Sequence, residues 1–406
     1  MSEAPSAATL SSARFEQSPL WAIAARFTQQ GKVVAVDPLG NGNINHTYLV
    51  TVEPSLPHGS DSPAPNVHSP ASTSPQNRFV LQRINTQVFR QPELVIQNMA
   101  VLGEHLSSHP HELSRRWETP YILPTGEGQN FWIDEAGEYW RAISFIEDCQ
   151  VFETIESPAH AREVGCGLAM FHRLISALPA ERLADTLEGF HITPTYLENY
   201  GQVLAAWQAK GRSAIATHPP EQTEQIAYCQ SFIAARSAWA HVLEKAKAAG
   251  HLQLRPIHGD PKVNNIMLGS DGQAVSLIDL DTLKPGLVHY DIGDCLRSGC
   301  NRLGEETENW QAVEFDPALA KGILSGYLSL AKDFLTEQDY AYLYDGIRLI
   351  AFELGLRFFT DYLAGNVYFK VKHPDHNLTR ALVQFKLTES IEAQAETLKA
   401  IIEELR

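Results

Sequence analysis

Cysteine is scarce in this chain and widely scattered. Its 406 residues include five, at positions 149, 166, 229, 295 and 300, an odd number with no C-x-x-C pair. Neither a disulfide framework nor a zinc-ligand spacing is present, and a reducing compartment suits such a chain. No apolar run approaches the ~18 residues of a membrane span. Residues 1–19 show no basic patch leading into an apolar stretch, so no secretory leader is expected. These absences predict a cytoplasmic protein with no membrane partner. Positive charge is also in short supply: 32 Lys and Arg against 48 Asp and Glu leave a net charge of −16. Such a surface repels nucleic acid, which is not expected as a partner either. It does not exclude a small pocket that is locally basic.

The length exceeds what one ordinary core supports and predicts at least two lobes. Residues 1–18 are rich in Ser and Ala and read as disordered. Residues 19–30 read as a short amphipathic helix. Strand character begins at Val33, breaks at the turn Gly40-Asn41-Gly42-Asn43-Ile44-Asn45, and resumes over 47–52. Residues 54–77 carry Pro, Ser, His and Asn with almost no large apolar side chains. They read as a disordered insertion inside a hairpin. The strand Arg78–Ile84, a helix over 92–106 with Pro at its start, and strands near 130–133 and 139–146 follow. From about 157 the period turns helical, with helices predicted over 159–177, 194–209, 221–249, 316–333 and 336–364 and one or two over 378–405. A patch of turns and short apolar runs interrupts them at 256–282. The expectation is an α+β chain: a small antiparallel-sheet lobe over 19–147, a larger helical lobe over 148–406, and a cleft between them.

That interrupting patch holds the chemistry. It reads His258-Gly259-Asp260-Pro261-Lys262-Val263-Asn264-Asn265, a short strand, a Gly-rich turn, and a second strand predicted to end at Asp279. Phosphoryl transfer needs a carboxylate to take or orient the proton of the attacking hydroxyl, oxygen ligands for Mg²⁺, and a cation for the equatorial oxygens. Asp260 suits the first role, Asn265 and Asp279 the second, and Lys262 the third. His258 reads as a structural hydrogen-bonder, and Asp281 leans the same way. Asp291 and Asp294 read as braces that satisfy backbone donors.

His258, Asp260 and Asn265 form an H-x-D-x-x-x-x-N loop, and Asp279 closes Leu277-Ile278-Asp279. On these residues the chain resembles the aminoglycoside phosphotransferase and choline kinase superfamily. Its fold is protein-kinase-like and its reaction an ATP- and Mg²⁺-dependent transfer to a hydroxyl. Longer blocks are similar to bacterial N-acetylhexosamine 1-kinases: 258–267, 278–294, 80–86, 355–363, 367–370 and 376–378, within a span from about 38 to 387. The resemblance implies a sugar acceptor, phosphorylated at its anomeric hydroxyl. Residue types alone leave open choline-type or aminoglycoside acceptors and a non-catalytic ATP-binding pseudokinase. A dinuclear phosphohydrolase would need more His and carboxylate ligands. A protein kinase would need an activation segment after Asp279.

For the nucleotide, Gly40, Gly42 and Asn43 would bring backbone N–H groups to the phosphates. By resemblance, the backbone of Phe145, Ile146 and Glu147 would meet adenine. One departure stands out. Kinases of this fold carry a strand Lys paired with a helix Glu, whereas this strand reads Val80-Leu81-Gln82-Arg83. Arg83 or Gln82 must substitute, with Glu93, Gln97 or Asn98 as helix partner. Arg357, Tyr362 and Tyr368 are the leading candidates to hold the acceptor, with Phe190-His191-Ile192-Thr193-Pro194 as a further polar and aromatic turn.

Overall fold

A computed structural model describes residues 19–28, 31–40, 44–53, 77–109, 115–209 and 219–406. The predicted disordered stretches, 1–18 and 54–77 apart from Asn77, lie outside these described residues. The chain divides into two compact units, one built from the residues up to 111 and 120–147, the other from 112–119 and 148–406.

In the first unit, helix α1 (Pro19–Arg26) precedes strands β1 (Lys32–Pro38), β2 (His46–Glu53) and β3 (Arg78–Ile84). Helix α2 (Pro92–Ser108) and strands β4 (Ile122–Leu123), β5 (Trp132–Ile133) and β6 (Tyr139–Ser144) complete it. The strands pair antiparallel in the order β1-β2-β3-β6-β4, with β5 also on β6. Side chains alternate between the faces of a strand. On one face Val50, Val52, Phe79, Leu81, Trp140 and Ala142 form a core with Ile23, Ala24 and Phe27, from α1 and the turn after it. The opposite face turns Gln82 and Arg141, direct cross-strand partners, towards Met99 of α2.

The second unit begins with β7 (Cys149–Gln150), α3 (Pro158–Ile175), α4 (Thr193–Ala209), α5 (Pro220–Arg236) and α6 (Val242–Ala248). Strands β8 (Arg255–Ile257), β9 (Ile266–Gly269), β10 (Ala274–Leu277) and β11 (Lys284–Gly286) frame the motif-bearing loop. They form two small sheets, β8 with β11 and β7-β9-β10. Helices α7 (Val288–Gly299), α8 (Pro317–Ala331), α9 (Glu337–Ala341), α10 (Leu343–Ala364), α11 (His376–Ala393) and α12 (Ala395–Leu405) follow. No helix among the described residues is long and apolar enough to cross a membrane.

Three predicted elements differ. The helix expected over 221–249 breaks after Arg236 and resumes at Val242. Trp239 sits in the break, donating through Nε1 to Asp345 (3.2 Å) with the Arg348 guanidinium 3.6 Å above its ring. Tertiary packing there overrides helical period. The helix expected over 336–364 is split at Tyr342 into α9 and α10. A capping box between Thr336 and Asp339 starts α9, and Asp339 is drawn to Arg255 of β8 at 2.8 Å. Asp279 lies two residues beyond β10 instead of at its end.

Helices α3 and α8 meet through glycines. A Cβ built on Gly165 would sit 1.9 Å from the Ile323 carbonyl oxygen, and one on Gly326 would sit 1.9 Å from that of Arg162. Backbone lies on both sides, so nothing flexible yields. Gly165→Ala or Gly326→Ala is expected to cost about 3 kcal/mol by forcing the helices apart. In α4 nothing approaches Gly201 within 4 Å, so Gly201→Ala gains up to about 1 kcal/mol of helix propensity. Urea unfolding midpoints of the three variants check the contrast.

Candidate active site

Strand β8 delivers the chain to the 258–265 loop, and buried partners then fix its backbone group by group. Gly259 has φ +90°, and a Cβ there would lie 2.6 Å from the Thr282 carbonyl oxygen, so only glycine fits. The fully buried carboxylate of Asp291, on α7, accepts from the N–H of His258 (2.7 Å) and of Gly259 (2.8 Å). It also bonds His172 Nε2 at 2.8 Å. Thr282 Oγ1 donates to the His258 carbonyl at 2.9 Å. His258 Nε2 donates to the Ile278 carbonyl (2.9 Å), while Nδ1 accepts from the Asp260 N–H (3.2 Å). That pattern requires a neutral ring, and burial holds the imidazole below its ordinary pKa. His258 is therefore a strut. Asp291 satisfies backbone donors as read from the sequence, whereas Asp294 bonds Arg297 Nε at 2.8 Å.

On this loop Asp260 Oδ2 lies 2.9 Å from Lys262 Nζ. Asn265 Nδ2 donates to the Asp260 carbonyl oxygen at 2.7 Å, and Oδ1 of the same amide makes no hydrogen bond among the described residues. Burial pushes the Asp260 carboxyl up, but the Lys262 ammonium outweighs it and holds the group below the usual carboxylate range. For Lys262, burial works against the charge, and Asp260 and Asp279 overcome it, raising its pKa. Asp279 is exposed, with φ 65° and ψ 62°. The Ile278 N–H bonds the Asn265 carbonyl at 2.9 Å, tying the chain to the loop just before Asp279. The chain then turns through the left-handed region, which Asp tolerates better than most residues. Asp281 is buried, and its carbonyl accepts from Thr186 Oγ1 at 2.8 Å. Asn265 Oδ1 and the Asp279 carboxylate offer oxygen only, which fits a hard cation such as Mg²⁺ completed by water and phosphate oxygens. No group of three or more His, Cys, Asp or Glu able to cage a metal occurs among the described residues.

A cavity of about 390 Å³ in the same unit is lined by Glu188, Tyr196, Asn199, Arg357, Asp361 and Tyr368, among others. The Arg357 guanidinium sits 5.0, 5.2 and 5.5 Å from the ring centres of Phe190, Tyr196 and Phe369. It makes no hydrogen bond or ion pair among the described residues. Burial opposes its charge, but the neighbouring Tyr196, Tyr368, Glu353 and Asp260 outweigh that and raise its pKa. Asp361 grips the wall carrying Tyr368. Its oxygens accept from the N–H groups of Val367 (2.9 Å), Tyr368 (2.8 Å) and Phe369 (3.0 Å) and from Asn377 Nδ2 (2.9 Å). Tyr362 is not among the lining residues. Five residues beyond Arg357 on α10, it faces about 140° away around the helix. Its ring stacks on Phe359, and its buried hydroxyl has no partner among the described residues.

In the first unit, Gly40 adopts φ 67°, and Gly42 and Asn43 lie outside the described residues. Arg83 shares the strand face of Phe79 and Leu81, with Nη1 3.6 Å from Glu138 Oε1. Phe145 lies beneath the Arg78 guanidinium at 4.8 Å, Ile146 is buried, and Glu147 pairs with Arg78 Nε at 3.0 Å. Sequence reasoning passed over Arg141. Only 1% exposed, it donates to Gln82 Oε1 from Nε (3.0 Å) and Nη2 (2.7 Å), with Nη1 3.2 Å from Met99 Sδ. A lone Arg within the strand Tyr139-Trp140-Arg141-Ala142-Ile143-Ser144 was the available signal. Glu93, a candidate helix partner, instead accepts from the Tyr139 hydroxyl at 2.5 Å.

Asp291→Ala strands two buried N–H groups, at ~1–3 kcal/mol each, and is expected to lower stability by about 3 kcal/mol or more. Burial pushes the Asp291 carboxyl up, but His172, His258 and the backbone donors outweigh it and depress its pKa. Its contribution is therefore complete above pH ~4 and is lost as pH falls through the depressed value. Urea titrations of wild type and variant between pH 7 and 3 measure both effects.

The sequence model of the phosphotransferase enzyme family (APH) matches residues 36–333. Among solved structures, an aminoglycoside phosphotransferase from Alicyclobacillus acidocaldarius superposes with a TM-score of 0.58 at 14% identity, covering 99% of this chain and 98% of that one. A microcompartment-associated aminopropanol kinase gives 0.54 at 15%, covering 93% and 98%. A choline kinase from Cryptosporidium parvum gives 0.52 at 14%, covering 91% of each chain. At these identities the likeness is one of fold, the protein-kinase-like α+β fold with an antiparallel sheet and a mostly helical remainder. With the family match spanning most of its length and including the whole 258–265 loop, the chain belongs to the phosphotransferase enzyme family.

Proposed function

We propose that this phosphotransferase moves the γ-phosphate of ATP to a hydroxyl of a neutral sugar, with the anomeric hydroxyl of an N-acetylhexosamine as the acceptor. The observation that carries the transfer is the Asp260 carboxyl, held 2.9 Å from Lys262 on a loop whose backbone Asp291 and Thr282 fix. Asp260 accepts the hydrogen bond of the attacking hydroxyl and takes its proton as the new O–P bond forms and the bond to ADP breaks. Lys262 balances charge on the transferring oxygens. Asn265 and Asp279 would hold Mg²⁺, which would supply charge neutralisation at the phosphates.

The Gly40–Asn43 turn is assigned to the phosphates on its glycines and its place ahead of the catalytic loop, and the backbone of 145–147 to adenine by resemblance. Arg141, buried and held by Gln82 and Met99, supplies a cation to the strand face opposite Arg83. It lies on the α2 face, whereas Arg83 is drawn towards Glu138.

The acceptor assignment draws its support from Arg357. The Arg357 guanidinium disfavours an ammonium seated against it, while the Glu188 and Asp361 carboxylates in the same wall can accept from sugar hydroxyls. The guanidinium offers donors to hydroxyl or acyl oxygens, and the rings of Tyr196, Tyr368 and Phe369 suit the apolar face of a sugar.

The test is Mg·ATP-dependent ADP release over a panel of N-acetylhexosamines, neutral hexoses, choline and aminoglycosides. Stimulation by an N-acetylhexosamine, lost by ~10³-fold or more in Asp260→Ala, is the expected outcome. Stimulation by choline or an aminoglycoside alone would overturn the sugar assignment, and ATP binding without any stimulated release would leave a non-catalytic binder. Arg357→Ala is expected to raise the acceptor KM ~10- to 100-fold with the ATP KM unchanged. Because Asp260 is held below the usual carboxylate range, kcat should stay level down to about pH 5. Lys262→Ala removes the stabilising charge, so its acid limb should move to higher pH.

A further inference from the structure

One buried ionisable pair beside the catalytic loop has no part in this chemistry. His191, in the turn before α4, is 4% exposed and has φ 66°, a left-handed backbone that a residue with a Cβ seldom adopts. Its ring lies 3.9 Å from the Phe190 ring centre and 5.3 Å from that of Tyr290. Nε2 is 2.7 Å from the Gly259 carbonyl oxygen, and Nδ1 is 2.9 Å from Glu353 Oε1. Glu353 Oε2 accepts from Thr193 Oγ1 at 2.6 Å. A peptide carbonyl only accepts, and so does an ionised carboxylate. With Glu353 ionised, as His191, Arg357 and Thr193 favour, the ring donates from both nitrogens, which only an imidazolium does.

We infer that His191 is a buried imidazolium acting as a positioning residue. One N–H holds the Gly259 carbonyl, directly before Asp260, and the other grips Glu353, one helical turn before Arg357. The loop bearing the base and the helix bearing the cavity cation are thereby tied through a single ring. This rests on the assignment of Asp260 as base and of the Arg357 cavity as acceptor site.

The surroundings favour the charge. Glu353 faces the ring from α10 and Tyr290 and Asp294 from α7, while Tyr196 of α4 bonds the backbone of His191. Burial alone would strip the proton, but Glu353, the Gly259 carbonyl and Asp294 outweigh it and raise the pKa. Burial likewise pushes Glu353 up, and His191 and Arg357 hold it down. A His pKa raised on folding contributes fully below about pH 6.5 and is lost as pH climbs through the folded value. The proposal thus places an alkaline limb on kcat.

The first measurement needs no substrate. Nitrogen-15 NMR of the ¹⁵N-histidine-labelled full chain should show two protonated ring nitrogens on His191 at pH 7, and a single protonated nitrogen would overturn the proposal. With the acceptor found by ADP release, His191→Gln should lower kcat ~10²-fold with the ATP KM unchanged, since a single amide nitrogen cannot serve both partners. Its alkaline limb should disappear. Glu353→Gln, which keeps the imidazole but removes the carboxylate, should move that limb to lower pH. An unchanged kcat in His191→Gln, or an unmoved limb in Glu353→Gln, overturns the proposal. Failure of the acceptor reading would show instead as no stimulated release by the wild type, with the NMR result standing apart.

Discussion

The carboxylate of Asp291 is the constraint on which the site depends. It is fully buried, yet its two oxygens meet the N–H groups of His258 and Gly259 and a ring nitrogen of His172. A buried charge persists only where such donors replace its lost water. Once they do, the two peptide planes before Asp260 have one orientation available to them. Everything downstream inherits that orientation: the Asp260–Lys262 contact, the Asn265 amide turned back on the Asp260 carbonyl, and the tie from Ile278 that sets Asp279. The carbonyls of the loop are taken as well, by Thr282 at His258 and His191 at Gly259.

A chain this short of cations spends several of them out of bulk water. Arg141, Arg297, Lys262 and Arg357 are each buried or half-buried, and each faces a different kind of partner: an amide oxygen, a pair of carboxylates, a single carboxylate, and a set of rings. A guanidinium tolerates weak hydration better than an ammonium does. That difference suits Arg to the two positions held by an amide or by aromatic rings, and leaves Lys262 beside a formal negative charge.

Much of the site was legible in the sequence because its residues lie close together along the chain. The spacing from His258 to Asn265 is set by one loop, so the structure places Asp260, Lys262 and Asn265 in mutual contact. The bracing by Asp291 was likewise foreseeable from an acidic residue at the start of a helix that follows directly. What the sequence hid is long-range or rotational. The Asp279 turn depends on a bond from Ile278 to Asn265, and Tyr362 turns away from the cavity through helix phase alone. Arg141 acquires its role from Gln82, 59 residues away. The His191–Glu353 pair spans 162 residues, and nothing local to either announces it. In the fold, strands with a clean alternation were found in place, while two helices broke where Trp239 and Asp339 took distant partners.

The grip of Asp361 on three successive peptide N–H groups has a consequence for how this cavity can change over evolutionary time. Main-chain bonds do not read side-chain identity, so the path of residues 367–369 is held whatever those residues carry. Substitutions at Tyr368 and Phe369 can then reshape the wall without undoing the scaffold behind it. While Asp361 is kept, lineages can diverge in what they accept on the same frame.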